Sequence, residues 1–368
     1  MKKKVLLVSL PFIVLMLVMS MVGCTPPDVA APPEDTTEGT VKDESPVLEL
    51  TMQTHLTGLQ HERVAKTVVE TIAHTSGGTI KITAYPAGTL VPAPEMLESL
   101  RTGTLDMVLV GEGYFAGLVP VSELATGIPY AYRNQFEPWL FMWHRGFVDI
   151  LREQYAKQGA YVIPFEYYSV GLMTKKPINS LDDLRGMKLR AFGTMGYWLT
   201  EAGSSVSMIP GAELYTALAT GVVDGTHWAD AGPMYEMRFY EVLDYYMLPE
   251  PAYGAWNSVL VGMDLWNQLT NEQKRAIEMG TIAGGRVSRD MTRILSGRAL
   301  YSMVRNYGVQ TTILSEEEQE KAREIAIRSW DKIAEKDPAN AEVISMLKDF
   351  MEEQVDDEKV SPPFEMPW

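Results

Sequence analysis

Residues 184–228 read LRGMKLRAFGTMGYWLTEAGSSVSMIPGAELYTALATGVVDGTHW, and their pattern decides the fold class. In LRGMKLRAF, Met187, Leu189 and Ala191 alternate with Lys188 and Arg190, which is the period of a short strand with one apolar face. Arg190 therefore falls near the C-terminal end of that strand. A helix from Met195 to Glu201, an apolar segment from Val206 to Ile209, a helix from Glu213 to Thr220 and a strand from Val222 to Trp228 are predicted to follow. Strands alternating with helices in this way imply a parallel sheet with crossover connections. In open α/β sheets, ligands settle outside the carboxyl ends of the strands. A guanidinium there presents a planar fork of donors that fits a carboxylate with two parallel hydrogen bonds. By residue type alone, an arginine is more often a surface charge with a solvated head.

The same rhythm extends in both directions. Upstream, Val47 with alternating Leu48, Leu50 and Met52 reads as a first strand, with Thr54 and His55 at its C-terminal end. A helix from His61 to Ser76, a strand from Thr79 to Tyr85, a short helix from Glu95 to Arg101 and LDMVLVG complete a β-α-β-α-β start. GEGYFAG (111–117) has three residues before its last glycine, where a dinucleotide loop has two, and it lacks the helix that should follow. It reads better as a pocket wall, with Tyr114 and Phe115 as flat apolar contacts or as ordinary packing. Gln135 to Lys157 is predicted as one long helix with a Trp139, Met142, Trp143 core stripe. Ala160 to Tyr168 is a strand, and GLMTKKPI begins a second run. Beyond Trp228, the pattern predicts helix over 229–240, strands in EVLDYYMLPE and AWNSVLVG, and helices over 270–296 and 298–307. A late strand in GVQTTIL and amphipathic helices from Ser315 to Gln354 follow.

In wording as well as pattern, the chain resembles the substrate-binding proteins of the tripartite ATP-independent periplasmic (TRAP) transporters, the dicarboxylate-binding-protein (DctP) family. The resemblance lies in TSGGTIKITAYPAGTLVPAPEMLESLRTGTLDM, LDDLRGMKLRAFG, IPGAELYTALATGVVDG, EVLDYYMLPE and DLWNQLTNEQKRAI, in that order, across roughly Leu48 to Ala276. It implies a two-lobed periplasmic-binding-protein-like α/β fold, each lobe a mixed, mostly parallel sheet flanked by helices. Hinge strands join the lobes, and C-terminal helices brace them or, in some relatives, mediate dimerisation. Residues 47–167 plus about 254–296 form the first lobe on this reading, and 168–253 plus about 297–360 the second. The resemblance further implies Arg190 as the carboxylate clamp and Trp228 as a wall of the pocket. In the branch that binds 2-oxo acids, a glutamate precedes this tryptophan and helps hold a metal ion that bridges to the substrate. Here that place is His227, and a glutamine of the same branch aligns with Ser169. Both departures remove oxygen ligands that a hard cation would want, so neither metal nor cofactor is carried over.

The 368-residue length allows two domains of ordinary size. A net charge of -16 argues against nucleic acid, which demands a basic face, and it requires any anion site to be a local basic pocket. The first residues, MKKKVLLVSLPFIVLMLVMSMVGC, join a lysine cluster to an apolar run long enough to span a bilayer, so a permanent anchor competes with an export signal. MVGC resembles the lipobox of bacterial lipoproteins and marks residues 1–24 as a signal peptide with Cys24 as the lipidation site. Cys24 is the only cysteine, which excludes an intramolecular disulfide. Residues 25–46, rich in proline and acid, read as a solvated tether, placing the folded part on the periplasmic or extracellular face of the cytoplasmic membrane.

The five histidines form no HExxH, no phosphate loop or nucleophile elbow occurs, and no catalytic group of three can be assembled. Tyr168, Phe192, Tyr197, Trp198, Tyr253 and Trp256 enrich the segments near the expected cleft, which would suit a carboxylate with a bulky apolar or aromatic body. The candidate ligand-binding residues are Arg190, Trp228, His227, Tyr114, Ser169, Tyr168, Phe192, His55, Tyr253 and Trp256. The expected function is a non-enzymatic solute receptor handing an organic acid to TRAP permease subunits. An exported hydrolase, or a binding protein for an ATP-driven importer or sensor kinase, stands as the alternative.

Overall fold

A computed structural model describes residues 47–360. The signal peptide, Cys24 and the tether lie outside the described residues. In chain order the elements are β1 (Leu48–Thr54), α1 (Gly58–Thr75), β2 (Ile80–Tyr85), α2 (Met96–Arg101), β3 (Met107–Gly111), β4 (Thr126–Pro129), α3 (Glu137–Trp139), α4 (Phe147–Ala156), β5 (Ala160–Val170) and β6 (Leu172–Thr174). Then come β7 (Lys188–Arg190), α5 (Gly193–Glu201), β8 (Ser205–Ser207), α6 (Gly211–Ala219), β9 (Gly225–His227), α7 (Ala231–Glu236), β10 (Tyr245–Leu248) and β11 (Ala252–Gly262). The chain ends with α8 (Met263–Gln268), α9 (Asn271–Tyr307), β12 (Gln310–Ile313), α10 (Glu316–Ala334) and α11 (Pro338–Val360).

Two mixed sheets result. The first runs β2-β1-β3-β11-β4, with β5 also paired to β11, and the second runs β12-β10-β6-β9-β7-β8. The βαβ units β1-α1-β2 and β7-α5-β8 pair in parallel, as do β1 with β3 and β7 with β9. Every antiparallel pairing involves β6 or β11, the strands that receive the chain when it crosses from one sheet to the other. Those crossings enter directly from the other sheet, without the helical return that enforces a parallel neighbour.

The strand β3 shows how alternation builds the cores. Met107 and Leu109 pack with Leu50, Val68, Ile72 and Ile277 on one face, while Val108 and Val110 pack with Phe141 and Leu260 on the other. A third core gathers Leu214, Leu218, Met234, Phe239 and Tyr246 beside the second sheet. The late helices brace both halves. On the second-sheet side, α10 packs on α5, where the Trp198 indole N–H donates to the Ala322 carbonyl at 3.1 Å. On the first-sheet side, α11 packs on α4 and the turn Pro120–Ala125, where the Asn340 amide donates to Glu123 at 3.2 Å.

Two predicted elements differ. Residues 271–307 form one 37-residue helix rather than two, opened by a Thr270–Gln273 capping box. Gly297 costs such a helix about 1 kcal/mol, less than α9 gains by packing along α1, β5 and α7. The predicted helix over 135–157 is instead broken into α3, a π turn at Leu140–His144, and α4. Gly146, at φ +91°, makes the break by adopting a left-handed backbone that side chains disfavour.

Candidate functional site

A cavity of about 470 Å3 is lined from both sheets. The first sheet contributes His55 at the end of β1, Gly111 to Tyr114 after β3, Glu166 and Tyr168 on β5, and Trp256 and Asn257 on β11. The second contributes Arg190 at the end of β7, Phe192 just beyond it, and His227 and Trp228 at the end of β9. This is the C-terminal rim of parallel strands that the sequence alternation pointed to.

Arg190 is 1% exposed, with its guanidinium held on three sides. Nε donates to the Ile209 carbonyl at 3.0 Å and Nη1 to the His227 carbonyl at 3.2 Å. The rings of Phe192 and Trp228 sit with centroids 4.7 and 4.8 Å from Cζ. Nη2 is sealed from solvent and has no hydrogen-bond partner. Burial lowers the pKa of Arg190 to about 10, with the Tyr114 and Tyr168 hydroxyls opposing, so the group stays charged at neutral pH. Among the described residues no carboxylate lies within ion-pair distance of it.

The neighbours of Arg190 are neutral. The His227 imidazole is held well below its ordinary value, first by burial and then by the charge of Arg190, and its Nδ1 is buried without a partner. Its ring lies 4.9 Å from Phe192, Phe192 lies 6.3 Å from Tyr114, and Tyr114 lies 5.8 Å from His55. This row of rings crosses from the second sheet to the first along the cavity. Burial lowers His55 to about 4 against a bond to the Leu109 carbonyl, so it too is neutral at pH 7.

Of the ten candidate residues, eight line this cavity: Arg190, Trp228, His227, Tyr114, Tyr168, Phe192, His55 and Trp256. Trp256 belongs equally to the core, 4.9 Å from Tyr167 and 6.2 Å from Trp139. Ser169 and Tyr253 line instead an adjacent cavity of about 550 Å3, which Tyr168 shares. Ser169 is the next residue along β5 from Tyr168, so its side chain turns to the other face, where its hydroxyl bonds Glu250. Sequence reasoning missed Glu112, Glu166 and Asn257. Their signal was present: each is a polar residue inside or just after an otherwise apolar strand, in MVLVGE, VIPFEYY and AWNSVLVG.

A model of the bacterial extracellular solute-binding proteins, family 7 (DctP), matches residues 52–337. The chain belongs to this family. The chain is 28% identical to a monocarboxylate 2-oxoacid-binding periplasmic protein of Nostoc sp. over 293 residues, 78% of this chain and 79% of that one. In fold it is similar to a TRAP transporter solute-binding protein from Bordetella bronchiseptica, solved with copurified calcium and picolinate. The TM-score is 0.77 at 22% identity, over 86% of this chain and 95% of that one. It is likewise similar to a TRAP periplasmic solute-binding protein from Pseudoalteromonas atlantica with bound sodium and pyruvate, at a TM-score of 0.78 and 19% identity, over 86% and 97%. The resemblance to TRAP substrate-binding proteins and the two-lobed α/β fold are thereby established for this family-7 chain.

Two of these similar structures hold a cation with an organic acid, so the donor set of this family-7 chain bears on whether it would hold one. Beside the Arg190 charge, position 227 offers a neutral imidazole. The Glu112 oxygens accept from Tyr155 and Ser258, and those of Glu166 from Ser288 and Asn257. No group of three or more His, Cys, Asp or Glu is placed to hold a metal among the described residues. A hard cation wants several free, anionic oxygens, and these residues do not fit one.

Proposed function

We propose that the chain is an extracytoplasmic receptor that binds an organic acid between its two lobes through Arg190 and delivers it unaltered to a TRAP-type permease. The observation that carries the reading is the state of Arg190: a buried permanent cation with two nitrogens fixed on backbone carbonyls and a third terminal nitrogen unpaired. Burying a charge without a counter-ion costs several kcal/mol, and an anionic ligand offsets that cost. Because backbone and rings already fix the guanidinium, little ordering remains when a carboxylate arrives. The walls from Tyr114, Phe192, Trp228, Met208 and Met237 favour an acid with an apolar body over a small dicarboxylate.

Nη2 is sealed in this arrangement, so a ligand reaches it only if the lobes part. The long strands β5 and β11, through which the chain leaves and re-enters the first sheet, are the natural hinge between lobes of about 47–167 plus 254–296 and 168–253 plus 297–360. A ligand that touches both lobes then stabilises the closed arrangement by its differential contacts. Cys24 is proposed as the lipid anchor that keeps the receptor near the membrane. Arg190→Ala tests the reading against an acid identified by mass spectrometry of what co-purifies. Binding by calorimetry should weaken by at least about 2 kcal/mol with thermal unfolding little changed. An unchanged affinity would remove Arg190 from the mechanism.

A further inference from the structure

The first-sheet wall of the cavity carries a second unfilled polar group. Asn257 on β11 is 4% exposed, and its amide N–H donates to Glu166 Oε2 at 2.9 Å. That bond fixes the amide's orientation, because the reverse would set its oxygen against a carboxylate oxygen. Asn257 Oδ1 is thereby turned away from Glu166, buried and without a partner. His55 lies beside it. Its Nδ1 sits 3.2 Å from the Gly111 N–H and 3.3 Å from the Leu109 carbonyl, and no protein group bonds its Nε2 among the described residues. A Cβ built on Gly111 would lie 3.5 Å from His55 Nε2 and 3.7 Å from Asn257 Oδ1, so both atoms border the space that the glycine leaves. All three residues line the cavity.

We infer that Asn257 Oδ1 and His55 Nε2 form a second polar subsite, on the first lobe, that accepts a hydroxyl at the end of the ligand remote from its carboxylate. The inference rests on Arg190 as the carboxylate clamp and names the class of acid: a hydroxycarboxylate, not a plain aliphatic acid. A hydroxyl donates its proton to the amide oxygen and accepts from Nε2–H, in the tautomer whose Nδ1 accepts from the Gly111 N–H. The spacing follows from the chain. Gly113 abuts Phe192, at 2.5 Å from a Cβ built there, and Gly111, two residues earlier, abuts the Asn257–His55 pair. Two residues span at most about 7 Å, so one ligand of a few carbons reaches both. Arg190 lies over Phe192, and the Tyr114 ring stands between Phe192 and His55 at 6.3 and 5.8 Å, so the hydroxyl belongs several carbons from the acid group, not beside it.

Calorimetric titration with unbranched ω-hydroxy acids of roughly four to six carbons, each against its deoxy parent, tests this in the wild type, Gly111→Ala, Asn257→Leu and Arg190→Ala. Gly111→Ala makes only ordinary contacts at 3.5 Å or more, so it fills the subsite without straining the fold. In the wild type, at least one hydroxy acid should bind roughly five- to ten-fold tighter than its parent, the worth of one neutral hydrogen bond to a buried acceptor. That preference should fall below about two-fold in both Gly111→Ala and Asn257→Leu. Equal affinity of hydroxy and parent acids in the wild type overturns the subsite alone, as does a preference that survives both substitutions. If no acid binds, or Arg190→Ala binds as the wild type does, the carboxylate reading fails, and the subsite with it.

Discussion

Arg63 on α1 and Glu236 on α7 form an ion pair at 2.6 Å that ties a helix packed beside the first sheet to one packed beside the second, and Arg63 lines the cavity. Their side chains are 11% and 17% exposed, so the pair is largely shielded from screening. On the proposed parting of the lobes at release, Arg63→Ala and Glu236→Ala should each weaken ligand binding several-fold, mainly through faster release. The double substitution should cost little more than either alone, giving a coupling of about 1 kcal/mol. Stopped-flow release rates on the four proteins check this; additive effects would show that the pair does not act as a latch.

Arg190→Lys should bind no better than Arg190→Ala to within about three-fold. A single ammonium cannot bond the carbonyls of Ile209 and His227, fill the space between Phe192 and Trp228, and still present a fork to the ligand. Calorimetry with the co-purifying acid is the measurement.

Glu112 gives a pH dependence of definite sign. Burial raises its carboxyl to about 7, against hydrogen bonds from Ser258 and Tyr155. The folded state therefore holds this proton more tightly than the unfolded chain. Its contribution is fully present below about 4.5 and is lost as pH rises through 7, at roughly 1.4 kcal/mol per pH unit in between. Glu112→Gln, which keeps a hydrogen-bonding group there without the charge, should match the wild type near pH 4.5. It should be the more stable protein at pH 8.5 in urea unfolding.

Gly285 lies where α9 crosses β5, and a Cβ there would fall directly on the Phe165 carbonyl and ring. Gly285→Ala should destabilise by about 2–4 kcal/mol, since backbone cannot rotate aside as a side chain can. Gly297→Ala, on the exposed part of the same helix with nothing nearby, should be neutral or stabilise by up to about 1 kcal/mol. Urea midpoints of the two variants check the contrast.

Cys24→Ser should move the protein from the membrane fraction to the soluble extracytoplasmic fraction without altering ligand affinity. Fractionation followed by mass spectrometry of the N-terminal peptide checks this, and a variant that stays with the membrane would exclude Cys24 as the anchor.

The two-lobed class was implied by the resemblance to TRAP substrate-binding proteins, whereas the strand alternation around Leu189 was enough to assign the sheet and to put Arg190 at its C-terminal rim. Those features are local and periodic, so they are written along the chain. Whether Arg190 meets a carboxylate or is left with a free nitrogen depends on what the other lobe brings opposite it, and no period in the sequence records that. The same holds for Ser169 and Tyr168, whose adjacency in sequence sends them to two different cavities. It holds also for Gly297, whose helix-breaking tendency yields to packing on three other elements. Asn257 and His55 lie far apart in the chain and meet only because β11 returns beside β3. Local propensity fixed the strands and helices, and the burial of long-range neighbours decided which polar atoms were left for a ligand.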